Sequence, residues 1–257
     1  MDIKGKVGVI TGGASGIGRA TSERLAKEGA AIVVADLDEA GGAETVKRIE
    51  GAGGAAVFVR ADVTRLDDTR RMLDTAVSKF GRLDILHNNA GIGVGAPGFP
   101  DAPPERWHLV IEIDLQAVIL GTGLAAPLMQ KNGGSVIINT ASMAGLYPHR
   151  QDAVYGAAKG GVVNFTHSLA SWESERKIRV NCICPGIVDT PLVRKGLEAA
   201  TKLGMKSWMP SKMLEASEIA DAVVTLVRDD SLFGCSLEVR PTGRQIVDPR
   251  PAPGSRK

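Results

Sequence analysis

Apolar and polar positions follow two alternating rhythms along these 257 residues. Seven short runs rich in β-branched residues are apolar at nearly every position: VGVIT (7–11), AIVVAD (31–36), AVFVRAD (56–62), LDILHNNA (83–90), SVIINTAS (135–142), RVNCICPG (179–186) and SLEVRP (236–241). Strands covered on both faces read this way. Between them lie stretches such as GIGRATSERLAKEG (16–29) and TRRMLDTAVSKFG (69–81), apolar at every third and fourth position and closed by glycine, as amphipathic helices are. Strand and helix in strict alternation predict right-handed crossovers and a doubly wound parallel seven-stranded sheet with helices on both faces, in one α/β domain spanning residues 1–248. Two stretches break the rhythm. Residues 191–217, with Leu197, Leu203, Met205, Trp208, Met209 and Met213 and no strand-like run, are expected to form a substrate lid, and residues 249–257 a flexible tail.

The first strand runs into TGGASGIGRA, which opens a helix. Glycines at a strand-to-helix turn let the backbone approach a pyrophosphate, whose charge meets free N–H groups and the positive end of the helix dipole. In this setting Gly12, Ser15, Gly16, Ile17 and Gly18 are predicted dinucleotide contacts, and the architecture is a Rossmann fold. Asp36 closes the second strand where a ribose-binding carboxylate is needed. A carboxylate accepts from both ribose hydroxyls and repels the 2′-phosphate of NADP, so NAD is the expected cofactor; Leu37, and not a base, follows. Asp62 and Val63 end the third strand, and Asn89, Ala90 and Gly91 follow the fourth, all at carboxyl ends where ligands bind such sheets. Asp62 reads equally as an adenine contact and as a helix cap.

Ser142 lies just past the fifth strand, and VYGAAKGGVVNF follows shortly after. Tyr155 and Lys159 are one helical turn apart and share a face. Bringing a tyrosine from about 10 to about 7 takes ~4 kcal/mol. One positive charge several ångströms away supplies ~2–3 kcal/mol, and an oxidised nicotinamide can add more, so the pair predicts a proton acceptor working near neutral pH.

TGGASGIG, Asp62, NNAG, Ser142, YGAAK and CPGIVDT, in this order and spacing, resemble the short-chain dehydrogenase/reductase family over essentially the whole chain. Within it, GLYPHRQDAVYGAAKGGVVNFTHSLA, IRVNCICPGIVDT and IADAVVTLVRDDSLFGCSLEV are most similar to NAD-dependent hydroxyprostaglandin dehydrogenase-like members. The resemblance implies that Ser142 holds the substrate oxygen and Tyr155 moves its proton. It gives Lys159 the tyrosine and the nicotinamide ribose, and Pro185, Gly186, Ile187 and Thr190 the nicotinamide. It also implies a homodimer or homotetramer built on the helix of Tyr155 and the one before it. One departure stands out: Asp114 occupies a catalytic position where the family usually has asparagine. Its charge is expected to favour charged Lys159 while weakening the lysine's field at Tyr155, displacing tyrosinate formation toward alkaline pH. Gln151 is expected to touch substrate, and Asp152 beside it to disfavour an anionic one.

Composition narrows partners. With 31 basic against 29 acidic residues, and no basic cluster beyond the terminal GSRK, no nucleic-acid footprint is present. The longest apolar window, residues 109–129, is interrupted by Glu112, Asp114 and Gln116, so no membrane span is expected. No secretory leader is read, and the expected location is cytoplasmic. Cys182, Cys184 and Cys235 are expected reduced and structural, the first two read onto opposite faces of a strand. His87, His108, His149 and His167 lack metal-ligand spacing to the cysteines, so no metal is expected. The predicted activity is hydride transfer between NAD and a secondary alcohol or ketone with substantial apolar surface. An NADPH-dependent oxoacyl-carrier-protein reductase and a non-catalytic NAD-binding regulatory protein are the alternatives.

Overall fold

The computed structural model describes residues 1–150, 152–204 and 212–249. Its strands are β1 (Val7–Thr11), β2 (Ala31–Asp36), β3 (Ala55–Arg60), β4 (Ile85–Asn88), β5 (Ser135–Thr140), β6 (Ile178–Pro185), β7 (Ser236–Arg240) and β8 (Gly243–Val247). The helices are α1 (Gly16–Lys27), α2 (Glu39–Gly51), α3 (Leu66–Phe80), α4 (Pro104–Ile111), α5 (Ala117–Met129), α6 (Met143–Leu146), α7 (Ala153–Ser168), α8 (Trp172–Arg176), α9 (Pro191–Lys202) and α10 (Ala216–Arg228). A π-helical turn, Glu112–Gln116, joins α4 to α5.

All the strands form one sheet in the order β3-β2-β1-β4-β5-β6-β7-β8. Every neighbouring pair is parallel except β7 with β8. The chain reverses direction of winding between β1 and β4, and that switch point opens a crevice at the strands' carboxyl ends. Period-two alternation divides the core. Ile10, Ile32, Val34, Ile138 and Ile183 pack with α1 and α10 on one face, whereas Val9, Val33, Leu86, Ile137 and Val180 pack with α3 and α5 on the other.

Three expectations are corrected. The sheet has eight strands, not seven: β8, GRQIV, is exposed at four of its five positions and leaves no apolar run to read. It pairs antiparallel to β7 across the turn at Pro241–Thr242 and covers that sheet edge. Cys182 and Cys184 share one face, packed with Val118, Val162 and Val163, because residues two apart on a strand point the same way. The stretch from 191 is not irregular throughout: its first part is the amphipathic α9, Thr190 capping it through Oγ1 to Val193 N at 3.4 Å. Met205, Trp208 and Met209 lie outside the described residues, as do Gln151 and the tail from residue 250.

The run Pro104–Asn132 is long and apolar enough, by composition, to cross a membrane. It packs instead as a core helix, α5 lying on α3 and the sheet while the π turn touches α7. Asp114 is fully buried inside that turn, where it meets a lysine.

Candidate active site

The glycine turn is shaped by what its residues lack. A Cβ on Gly18 would lie 2.1 Å from the Gly12 carbonyl oxygen and 2.7 Å from Asn89 Nδ2. Gly12, at φ +65°, would bring a Cβ within 3.0 Å of the Ala90 backbone. The turn, the start of α1 and the Asn89–Ala90 segment therefore pack backbone to backbone. Thr11 Oγ1 tightens the same corner by accepting from Asn89 N at 2.9 Å and Ala90 N at 3.0 Å, while Asn89 Nδ2 donates to Thr11 O at 3.0 Å.

These residues fit a dinucleotide. No side chain caps α1 at Ser15, whereas Asp38, Asp152 and Thr190 cap α2, α7 and α9. The first N–H groups of α1 are thus left for an anion, at the positive end of its dipole. Asp36 braces the turn, its carboxylate accepting from Ala14 N and from Asp38 N, both at 3.0 Å. Leu37 beside it is 52% exposed and brings no positive charge.

Asp62 is not the helix cap, a position held by Arg65; its Oδ1 accepts from Thr64 N at 3.0 Å and Thr64 Oγ1 at 2.7 Å, stabilising the turn before α3. Val63 O accepts from Thr69 Oγ1. On the far side of the crevice, Gly186 N donates to Val239 O, and Leu214 N donates to Ile187 O at 2.8 Å, so the segment after Pro185 is held by strand-like pairing. Thr190 closes back onto the glycine turn, its Cγ2 3.1 Å from where a Gly16 Cβ would sit.

Ser142, Tyr155, Lys159 and Asp114 come together from the α6 cap just past β5, from α7 and from the π turn. Lys159 is almost fully buried, and its Nζ donates to Thr140 O at 2.8 Å and lies 3.1 Å from Asp114 Oδ2 and 5.6 Å from the Tyr155 ring centre. The Asp114 contact is an ion pair without hydrogen-bond alignment. Asp114 Oδ1 accepts from Ile92 N at 2.8 Å. Gly91 leaves room for this pair: a Cβ there would stand 3.2 Å from Asp114 Oδ2 and 3.4 Å from Lys159 Nζ.

The charges at this point oppose one another. Burial raises the Asp114 carboxyl above its usual range, with Lys159 pulling it back. Burial works against charged Lys159, but Asp114 and Tyr155 overcome it and leave the ammonium held above its ordinary value. Burial likewise raises the Tyr155 hydroxyl; Lys159 and a hydrogen bond with Ser142 oppose the rise, and Asp114 and Asp152 add to it.

Three contributors escape the sequence reading, and a fourth, Asp152, has a role it does not give. Thr11 and Thr140 are single polar residues at strand ends, with no local signal separating them from ordinary strand threonines. Arg106, on α4, donates from Nε to Val94 O at 3.1 Å and from Nη2 to Gly93 O at 3.2 Å, fastening a loop whose sequence carries no partner motif. Asp152 faces backbone: its Oδ1 accepts from Tyr155 N at 3.0 Å and its Oδ2 from Val94 N at 2.8 Å. It could have been found as an N-cap, since an aspartate three residues before the first turn's tyrosine has that spacing.

With this geometry in place, the comparisons are specific. A sequence profile described as short chain dehydrogenase matches residues 6–201. The chain is 40% identical over 230 residues to cis-4-hydroxycyclohexanecarboxylate dehydrogenase of Sinomonas cyclohexanicum, covering 89% of this chain and 91% of that one. It is 35% identical over 255 residues to the Bos taurus 15-hydroxyprostaglandin dehydrogenase [NAD(+)], covering 93% and 92%. A crystal structure of an actinorhodin polyketide ketoreductase variant with NADPH superposes with a TM-score of 0.84 at 29% identity, covering 91% of this chain and 95% of that one.

Proposed function

The chain belongs to the short-chain dehydrogenase family, and from that premise we propose that it is an NAD-dependent dehydrogenase of secondary alcohols with substantial apolar surface, using Tyr155 as its general acid–base. Family membership makes it an oxidoreductase of alcohol and ketone groups. The observation that carries the finer reading is a buried ammonium, Lys159, held under Tyr155 by Thr140 O and Asp114, with Ser142 bonded to the same tyrosine.

Gly12, Ser15, Gly16, Ile17 and Gly18 would hold the pyrophosphate, Asp36 the adenosine ribose, and Asp62 and Val63 the adenine. Asn89, Ala90, Gly91, Tyr155 and Lys159 would border the nicotinamide ribose, and Pro185, Gly186, Ile187 and Thr190 the nicotinamide. When bound, the oxidised nicotinamide accepts the hydride and contributes a positive charge. Ser142 orients the substrate oxygen by hydrogen bonding. Tyr155 Oη takes the hydroxyl proton as the carbon-bound hydrogen departs with its electron pair, and in the reverse direction returns it. Lys159 makes the tyrosinate accessible by opposing the cost of its burial. Asp114 keeps that lysine charged and in place, at the expense of part of its field.

Asp36 supports NAD over NADP, since its carboxylate faces the turn and Leu37, not a base, follows it. The apolar lid reading rests on α9 and on Leu214, which pairs with Val188 at the edge of the crevice. A homodimer or homotetramer belongs to the same proposal: α5 is apolar all round, yet Ile119 is 43% exposed, and light scattering would count the subunits.

NADH formation with a panel of secondary alcohols, beginning with 4-hydroxycyclohexanecarboxylate and including hydroxy fatty acids and steroids, tests the reading. Tyr155→Phe is expected to lose about 10²–10⁴-fold in kcat while still binding cofactor. Wild-type turnover in that variant would overturn the role of Tyr155, and a preference for NADP would overturn that of Asp36.

A further inference from the structure

Asp152 and Asp114 do the same thing in two places. Each is a carboxylate with one oxygen on the loop after β4 and the other on a catalytic residue. Asp114 joins Ile92 N, at 2.8 Å, to Lys159 Nζ, at 3.1 Å. Asp152 joins Val94 N, at 2.8 Å, to Tyr155 N, at 3.0 Å. Ile92 and Val94 are alternate residues of one loop, and their N–H groups meet the two carboxylates in series. From the other side Arg106 grips the carbonyls of Gly93 and Val94. This loop begins at Asn89 and Ala90, which Thr11 pins to the glycine turn. A continuous set of hydrogen bonds therefore runs from the cofactor cradle through residues 89–94 to the first turn of α7.

An ordinary helix cap accounts for only half of Asp152. Capping uses one oxygen, and a serine or threonine would serve. The second oxygen reaches a residue far away in sequence, and two parallel acceptors at this spacing need a carboxylate.

Resting on the assignment of Tyr155 as the acid–base, we propose that Asp152 is a positioning residue which straps the 92–94 loop to the Tyr155 turn, so that the cofactor cradle and the proton-transferring hydroxyl are held as one body. The strap also adds negative charge near the hydroxyl. The ionisable and charged groups facing Tyr155 are Lys159 on its own helix, Asp152 at the cap, Asp114 on the π turn and His149 from the loop after α6, whose ring centre is 6.2 Å away. Arg106 of α4 bears on the loop from outside.

The chain has 2 tyrosines, so in a Tyr147→Phe background Tyr155 is the sole phenol and its ionisation is read directly by near-ultraviolet phenolate absorbance, without cofactor, substrate or turnover. Asp152→Asn keeps a cap oxygen but removes the charge and turns an N–H donor toward the N–H of Val94. Asp152→Ala removes cap and strap together. We expect phenolate formation at lower pH in both variants, a roughly ten- to hundredfold fall in kcat with alanine from misplacement of the hydroxyl, and a smaller fall with asparagine. Unchanged phenolate titration in both variants, or wild-type kcat and KM in either, overturns the proposal. So does loss of activity in alanine that is restored in full by Asp152→Ser, which caps but cannot strap. Tyr155→Phe is assayed beside them: wild-type turnover there defeats the acid–base assignment, whereas the titration of the Asp152 variants still reports on the strap.

Discussion

The two ends of the crevice are built on opposite principles. At the glycine turn the charged groups, Asp36 and Arg19, brace the backbone of Ala14, and the site exists because Cβ atoms are absent: Gly12 and Gly18 let three backbone segments touch. Around Tyr155 the site exists because charges are buried: Lys159 and Asp114 are nearly inaccessible, and each pulls the other toward its charged form against the cost of burial. The first end is governed by short-range repulsion, which is steep and local. The second is governed by Coulomb terms and desolvation, which extend over several ångströms and depend on every neighbour. Substitutions at the turn should act on folding and cofactor affinity, and substitutions around Tyr155 on rate and its pH dependence.

The largest expected effect comes from Gly18→Ala. Its Cβ would fall 2.1 Å from a backbone carbonyl that has no flexible side chain to yield. Overpacking of this kind costs about 3 kcal/mol or more, so the thermal midpoint should fall and cofactor binding, measured by calorimetry, should be lost. Unchanged NAD affinity in this variant would break the distinction between the two ends.

Asp114→Asn sharpens it from the other side. The amide oxygen still accepts from Ile92 N, but the negative charge that raises Tyr155 is gone. The sign follows directly: tyrosinate becomes easier to form, so the rising limb of the pH–rate profile for alcohol oxidation should move to lower pH, giving several-fold faster oxidation near neutrality. A profile identical to the native enzyme's would show that Asp114 acts by shape alone.

The effect expected to touch activity least tests the seam between the two ends. Thr140 gives its carbonyl to Lys159, while its hydroxyl donates to Asn89 Oδ1 at 3.2 Å. That leaves Thr140 Oγ1 to accept from His87 Nε2 at 2.8 Å, so the neutral ring carries its proton on Nε2 and its Nδ1 has no partner. Complete burial lowers the His87 pKa to about 3. The unfolded chain takes up a proton near 6.5 and the native state does not until about 3, so stability is intact above the unfolded value and declines as pH falls below it. At about pH 5 the loss is roughly 2 kcal/mol. Chemical denaturation at neutral and mildly acidic pH would measure it, and His87→Gln should flatten the dependence.

Much of the frame was legible beforehand. The seven apolar runs became β1 to β7, because a strand covered on both faces must be apolar at nearly every position. The glycine turn, Asp36 and the Tyr155–Lys159 spacing were readable because turn chemistry and helix periodicity are properties of a few consecutive residues. β8 was not, since an exposed edge strand needs no apolar pattern and is recruited by the open hydrogen bonds of β7. Asp152 was read as a pocket residue working against anions, and the structure spends both its oxygens on backbone amides. Gln151 lies outside the described residues.

The chain's own order of residues thus determined the succession of elements and the parallel sheet, and it marked the groups proposed to bind a dinucleotide and move a proton, because each depends on local periodicity or spacing. Tertiary structure alone decided which acceptor each buried donor takes. Ile92 with Asp114, Val94 with Asp152, and His87 with Thr140 pair residues 22, 58 and 53 apart. A buried polar group must find some partner, but which one is set by the packing of distant segments, and no run of neighbouring residues carries that choice.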